Sequence, residues 1–213
     1  MISISKIIPV GFLSIGVFLL MQVVLPLVSF KVWEFGQQYK NELLVSPALS
    51  GKQVLGVSIE NKDNFSKIVS SLKRETIANY SQFSITIPKL KIDHSQVLVD
   101  SNDLSKSLAH LPGSALPGER GNVFISGHSA LSRFLNLEKA EFGNLTDLKK
   151  GDEIIIEAIG VKFKYRVEQI KVIKPDDLSV INPPDTQGRY ISLMTCVPPG
   201  LNLKRLVVLG KMI

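Results

Sequence analysis

The chain has 213 residues, with 25 Lys+Arg against 19 Asp+Glu and a formal charge of +6. That length suits one domain of ordinary size plus an appendage and is too short for two large enzymatic domains. A content of 45% hydrophobic and 21% charged residues excludes a wholly disordered chain, and the single cysteine, Cys196, excludes an intramolecular disulfide and a four-cysteine zinc site. The lysines are spread along the chain rather than blocked into one run, so no nucleic-acid partner is expected.

From Ile7 to Phe30 the chain carries no charge. A helix of that length reaches about 36 Å, enough to cross a hydrocarbon core of roughly 30 Å. The apolar region of a signal peptide is shorter, and Val28-Ser29-Phe30 is a poor cleavage site. Residues 1–30 therefore read as an uncleaved membrane anchor. Lys6 precedes the span and Lys31 and Lys40 follow it, so the charge bias does not choose an orientation. Residues 31–82 read as a polar connector broken at Pro47, Ser50 and Gly51, with a weakly amphipathic stretch from Asn64 to Tyr80 that suits a helix. Whether the connector is a tether, a stalk or a lid is not decided by its residues.

From Phe83 to Ile213 the pattern is that of a small β-rich domain. Short β-branched runs at 83–88, 97–100, 122–127, 152–159, 161–173, 189–197 and 205–213 are bounded by Gly, Pro and Asn. Gly160 marks a tight turn between two of them. Val161, Phe163, Tyr165 and Val167 alternate with Lys162, Lys164 and Arg166, as expected of a half-buried strand. Seven or more such strands favour a mostly β fold, a closed barrel or a sandwich. Helical turns are expected near Asn102 to Leu108, Leu131 to Glu141 and Asp176 to Val180. The last apolar run closes the chain, so no second membrane span is expected.

A lone cysteine is ordinarily a small buried hydrophobe. Cys196, however, ends a predicted strand and precedes Val197-Pro198-Pro199-Gly200, a segment that must leave the sheet, so a half-open thiol is expected there. Nine residues later Arg205 opens the next predicted strand. If the two strands pair, its cation returns to Cys196, where it favours a thiolate or holds a developing oxyanion. His128 ends another apolar strand, and imidazole is the usual partner of a cysteine nucleophile because its charge changes near neutral pH. By pattern alone the pair is plausible; the bland alternatives are a solvated loop histidine and a surface strand arginine.

The segment Ser192-Leu193-Met194-Thr195-Cys196 resembles the sortase nucleophile motif T-L-x-T-C, with Ser192 in place of the family's threonine. Val197 to Leu206 resembles the segment that follows it, with the same nine-residue step from Cys to Arg. Gly121-Asn122-Val123-Phe124-Ile125-Ser126-Gly127-His128 resembles the family strand G-N-x-x-I-A-G-H. His110 to Glu119 resembles the approach loop H-x-P-G-T-x-x-P-G-E, and Ile87 to Ile92 the opening strand I-P-x-L-x-I. These five pieces occur in the family's order over residues 83–213.

The resemblance implies a sortase-like eight-stranded closed β-barrel behind one N-terminal transmembrane helix, on the extracellular face of a bacterial cytoplasmic membrane. It implies a cysteine transpeptidase that cuts an L-P-x-T-G-like sorting signal of secreted proteins through a thioacyl-enzyme. The acyl group then passes to an amine acceptor, a cell wall precursor or a pilin lysine. Cys196 is then the nucleophile, His128 the general acid/base and Arg205 the residue that steadies substrate and oxyanion. Thr195 and Ser192 are further candidates on the substrate or oxyanion side. His110 is structural and His94 lies on the surface. The loop after Cys196 is nearer the pilus-type and other non-housekeeping classes, although the Asp-Pro-aromatic lid of pilus sortases is missing between 31 and 82. No cofactor is expected. Glu138, Glu141, Asp152 and Glu153 are too scattered to argue for a metal. Two other readings stay open: a membrane-tethered cysteine hydrolase using only water, and a non-catalytic β-barrel binding module.

Overall fold

The computed structural model describes residues 4–40, 56–62, 65–71, 74, 77–105, 107–129, 140–199 and 203–213. The chain divides into two units, 1–44 and 45–213. The first contains helix α1, Ile4–Lys40. Within it Gly11–Gly36 is long and apolar enough to cross a membrane. The helix does not stop with the apolar run at Phe30. It continues through the first residues assigned to the connector, where Lys31 and Glu34 form an i,i+3 ion pair at 3.1 Å.

The second unit opens with a hairpin, β1 (Val57–Lys62) and β2 (Phe65–Ser70), paired antiparallel from Val57–Ser70 to Lys62–Phe65. Among the described residues, the helix expected from Asn64 to Tyr80 is replaced by the strand Phe65–Ser70, with 71, 74 and 77–80 outside any helix. Phe65–Ser70 take part in backbone pairing with β1, and that overrides a weak helical periodicity.

Eight further strands close a barrel: β3 (Gln82–Ile87), β4 (Ile92–Leu98), β5 (Leu108–His110), β6 (Gly121–Ser126), β7 (Glu153–Ala158), β8 (Val161–Ile173), β9 (Arg189–Val197) and β10 (Lys204–Met212). Their order around the barrel is β10-β8-β7-β3-β4-β5-β6-β9, with β9 returning to β10. The β4–β5 and β6–β9 pairs are parallel and the rest antiparallel. Closure removes the sheet edges that would otherwise invite pairing with other chains. All seven predicted runs fall in strands, although the run at 97–100 catches only the last two residues of β4. β5, three residues long, was too short to show a pattern.

Local residue choices explain the geometry. Between β7 and β8, Ile159 and Gly160 both have positive φ, 49° and 72°, the two-residue turn whose twist suits a hairpin. On β8, Tyr165 and Val167 are buried as the alternation requires, but the next buried residue is Ile170. A bulge shifts the register against β10 between Leu209 and Gly210, and one extra residue of β8 changes the face. Val161 stays exposed at the strand's start. The expected turn at 102–108 is irregular chain leading into β5, the one near 176–180 is a single 3₁₀ turn at Ser179–Ile181, and the one at 131–141 lies mostly outside the described residues.

The barrel interior is aliphatic. Ile85, Ile154, Ile156, Ile191, Leu193 and Val208 have no solvent exposure, and each such side chain contributes roughly 1.5–3 kcal/mol on burial. On β9 every residue from Tyr190 to Val197 is buried, so this strand is covered on its outer face as well. The cover on that face comes from Ile68 of β2 and from Leu178 and Ile181 around the 3₁₀ turn, which share a cluster with Phe124, Met194 and Val207.

Candidate active site

The β9–β10 ladder pairs Arg205 with Cys196, Val207 with Met194 and Leu209 with Ser192. Directly opposed residues of an antiparallel pair project from the same face. Ile191 and Leu193, of the other parity, fill the barrel interior, so Cys196 and Arg205 share its outer face. On the other side of β9, the parallel strand β6 pairs Ser126 with Met194. The ladder runs one step further, where the Gly127 amide donates to the Met194 carbonyl at 3.0 Å. His128, two residues beyond Ser126, therefore stands at the level of Cys196. The register thus places the backbones of the three predicted residues at the same end of the β6–β9–β10 sheet.

Gly127 explains how the strand end is held. A Cβ there would come within 2.5 Å of Leu108 Cδ2 and 2.6 Å of Phe142 Cδ2, so only glycine lets the chain lie flat on the core before His128. Thr195 holds the same peptide from the other strand: its hydroxyl donates to the Gly127 carbonyl at 2.9 Å. Thr195 faces away from Cys196 on β9. It belongs to the inward-facing row of β9, opposite Leu206, and its proton is committed to the backbone. Ser192 lies on the opposite face of β9 from Thr195. It shares the outer face with Cys196 but lies four residues back, about 13 Å along the strand, and is 1% exposed.

The thiol is not half open. Cys196 is 5% exposed and Arg205 2%, because the outer face of β9 is covered rather than bare. Burial pushes the Cys196 thiol above the ordinary range, while the Arg205 guanidinium acts in the opposite direction. Arg205 also donates through Nη1 to the Lys204 carbonyl at 3.1 Å. The resting group is thus a neutral, desolvated thiol beside a fixed cation. A thiolate formed there is stabilised by a charge that needs no reorganisation.

His110 is fully buried and sits away from this row, at the end of β5. Its Nε2 lies 2.9 Å from the Ala115 carbonyl and 2.8 Å from Ser114 Oγ, while the Asp100 amide donates to Nδ1 at 3.4 Å. It braces the approach loop, consistent with a structural histidine. His94 is exposed, with Nδ1 2.7 Å from Asp93 Oδ1. A second polar hub had no pattern in the sequence. Arg74 grips Asp100 through both carboxylate oxygens and donates to the Ser114 carbonyl at 2.7 Å. Next to it the Asn102 side chain exchanges two hydrogen bonds with the Ser70 backbone, at 3.1 and 3.2 Å. These contacts tie the end of the β1–β2 hairpin to the barrel.

Residues 85–213, which include His128, Cys196 and Arg205, match the protein family described as Sortase domain. Sortase D of Bacillus subtilis is 25% identical over 97% of this chain and 98% of its own length. Sortase A of Listeria monocytogenes is 31% identical over 44% of this chain and 39% of that protein. Among solved structures, sortase C1 from Streptococcus agalactiae superposes with a TM-score of 0.56 at 31% identity, covering 65% of this chain and 70% of the other. A lid mutant of sortase A from Corynebacterium diphtheriae gives 0.55 at 34%, covering 65% and 73%. With the barrel order, the opposed Cys and Arg and the family match in agreement, this chain belongs to the sortase family, cysteine transpeptidases that act on protein sorting signals.

Proposed function

We propose that this sortase cleaves an L-P-x-T-G-like signal and transfers the acyl fragment through a thioester on Cys196 to an amine on a wall precursor or a pilin lysine. The observation that carries the reading is the opposition of Cys196 and Arg205 across β9 and β10, with His128 at the adjoining end of β6. The Cys196 sulfur attacks the Thr carbonyl of the signal and its proton passes to His128. The tetrahedral oxyanion is held by Arg205. On collapse His128 gives a proton to the departing Gly amine, and the C–N bond breaks as the thioester remains. The incoming amine reverses the sequence, losing its proton to His128 and displacing the sulfur. Arg205 stays protonated throughout, so its part is electrostatic and geometric.

The burial of the resting thiol supports an acceptor other than water, since a covered thioester is shielded until the amine arrives. In this reading α1 anchors the chain in the cytoplasmic membrane with the barrel outside, residues 1–30 as anchor, 31–82 as connector and 83–213 as catalytic domain. The β1–β2 hairpin then acts as the cover of the connector. Ile68 lies against Met194 and Val207, one row from Cys196 and Arg205.

The test is trapping. Full-length enzyme is mixed with a panel of signal peptides and read by intact mass, with and without an amine nucleophile. A covalent adduct on Cys196 and an amine-dependent ligated product are expected. Cleavage insensitive to every amine would make the protein a hydrolase; no adduct with any peptide would remove the reading.

A further inference from the structure

On the outer face of β9, Ser192 is paired with Leu209 of β10 on one side and Phe124 of β6 on the other. Its hydroxyl is buried and has no hydrogen-bond partner among the described residues. A buried hydroxyl in that position keeps the full cost of losing its water. One strand over, Asn122 donates through Nδ2 to the Val180 and Ile181 carbonyls, at 3.2 and 3.0 Å, yet its buried Oδ1 also lacks a partner. Two orphaned polar atoms thus lie on the same covered face.

The barrel alone does not bury Ser192; the layer laid over it does. Phe124 and Met194, its neighbours on the sheet, and Val207 beside Met194 share a cluster with Ile68 of β2, Leu111, Leu178 and Ile181. Of the covering pieces the hairpin is the separable one, because β1 and β2 form a two-stranded sheet of their own. Its Ser70 end is tied down: Ser70 exchanges hydrogen bonds with Asn102 and donates through Oγ to the Pro112 carbonyl at 2.7 Å. A hairpin fastened at that end can lift without unpairing a barrel strand. Two effects then oppose each other. The apolar contact of Ile68 holds the hairpin down, whereas the stranded hydroxyl regains water when it rises.

We propose that the Ser192 hydroxyl is a built-in weak point of the cover, keeping the closed hairpin metastable so that the face carrying Cys196 opens to a peptide. This goes beyond the sorting-signal reading, since it concerns access to the sulfur whatever acyl donor arrives.

The test is alkylation of Cys196 by iodoacetamide in the full chain, with hydrogen exchange read in parallel. Ser192→Ala removes the oxygen and leaves an apolar residue of similar shape. Alkylation is expected to slow about five-fold or more, and exchange in residues 65–71 to slow with it. Ser192 lies about 13 Å from Cys196 along the strand, so the pH midpoint of alkylation should stay at its wild-type value. Ser192→Thr keeps the hydroxyl and should alkylate at least as fast as the wild type. With a fluorogenic sorting peptide and an amine acceptor, Ser192→Ala should raise KM by the same factor at unchanged kcat, because only the open fraction has fallen. Unchanged or faster alkylation in Ser192→Ala would overturn the proposal; that is the result expected if a water trapped under the cover satisfies the hydroxyl. Slower alkylation with a shifted pH midpoint would also overturn it, by assigning the effect to the sulfur. Slower alkylation and exchange in an enzyme whose wild type turns over no sorting peptide would uphold the proposal and sink the functional reading instead.

Discussion

Cys196 and Arg205 occupy opposed positions of the β9–β10 ladder, and the covered sheet face between them is almost dry, at 5% and 2% exposure. Two forces compete on the thiol: burial raises its pKa, and the guanidinium lowers it. Burial dominates, so the thiolate is scarce near neutrality and grows as pH rises through and beyond the usual thiol range. Alkylation of Cys196 by iodoacetamide is therefore expected to be slower at pH 7 than that of an exposed thiol and to keep rising past pH 9. Arg205→Met removes the opposing charge, and its profile should move to still higher pH. A profile that moves to lower pH in Arg205→Met would show that the guanidinium does not act on the sulfur.

The proposed roles give different losses for the three residues. Cys196→Ala removes the atom that becomes acylated, and His128→Ala removes the group that carries the proton in both half-reactions. Both should reduce ligation by at least about 10²-fold. Arg205→Lys keeps the charge but loses the planar two-pronged donor, and a loss on the order of ten-fold or more is expected. Steady-state ligation with a peptide and an amine reads all three. Normal turnover in Arg205→Lys would place the side chain outside the reaction.

Much of this arrangement was legible in the residues, for identifiable reasons. The β7–β8 hairpin was visible because its alternation and its Ile159-Gly160 turn agree. The convergence of Cys196 and Arg205 follows from two apolar runs separated by a Pro- and Gly-containing loop. The burial of the thiol was missed, although the apolar run from Tyr190 to Met194, broken only at Ser192, is what a strand covered on both faces looks like. The cover itself was hidden because β2 carries a pattern readable as a helix, and its partners, such as Met194 and Val207, are more than a hundred residues away. Asn122 stood inside a recognised strand motif, yet its work depends on two carbonyls of a loop nearly sixty residues later. That Thr195 and Ser192 fall on opposite faces was not legible from the motif, which conveys proximity in sequence, whereas side chains on a strand alternate between faces.

Arg74 supplies a test of the hairpin as a cover. Its guanidinium is 8% exposed and holds Asp100 through Nη1 at 2.9 Å and Nη2 at 2.5 Å. Charge-assisted pairs of this kind contribute on the order of 1–3 kcal/mol. Arg74→Met keeps the stem and removes the fork, which should loosen the hairpin without altering the barrel. The expected result is faster alkylation of Cys196 and faster hydrogen exchange in residues 65–71, with exchange in β9 unchanged. Equal alkylation rates despite a loosened hairpin would show that the hairpin does not shield the sulfur.

His110 sets a pH window for stability. Burial lowers its pKa from 6.5 to about 4, against the bond to the Ala115 carbonyl; Arg74 lowers it further, and Asp100 and Glu119 raise it. The geometry agrees: Nε2 faces a carbonyl and must carry the proton, while Nδ1 accepts from the Asp100 amide. A second proton on Nδ1 would turn that acceptor into a donor facing a donor. The unfolded chain takes up this proton as pH falls through about 6.5, whereas the folded chain resists until about 4. Proton uptake then favours the unfolded state, so stability is present above 6.5, falls across the interval and levels off below 4 as far as this group is concerned. At about 1.4 kcal/mol per pKa unit the contribution is on the order of 3 kcal/mol. Urea unfolding of the wild type at pH 7.5, 6, 5 and 4 should show the decline. His110→Gln, less stable at pH 7.5, should lose less over the same range. Parallel declines in the two proteins would assign the acid sensitivity to other groups and remove His110 from this account.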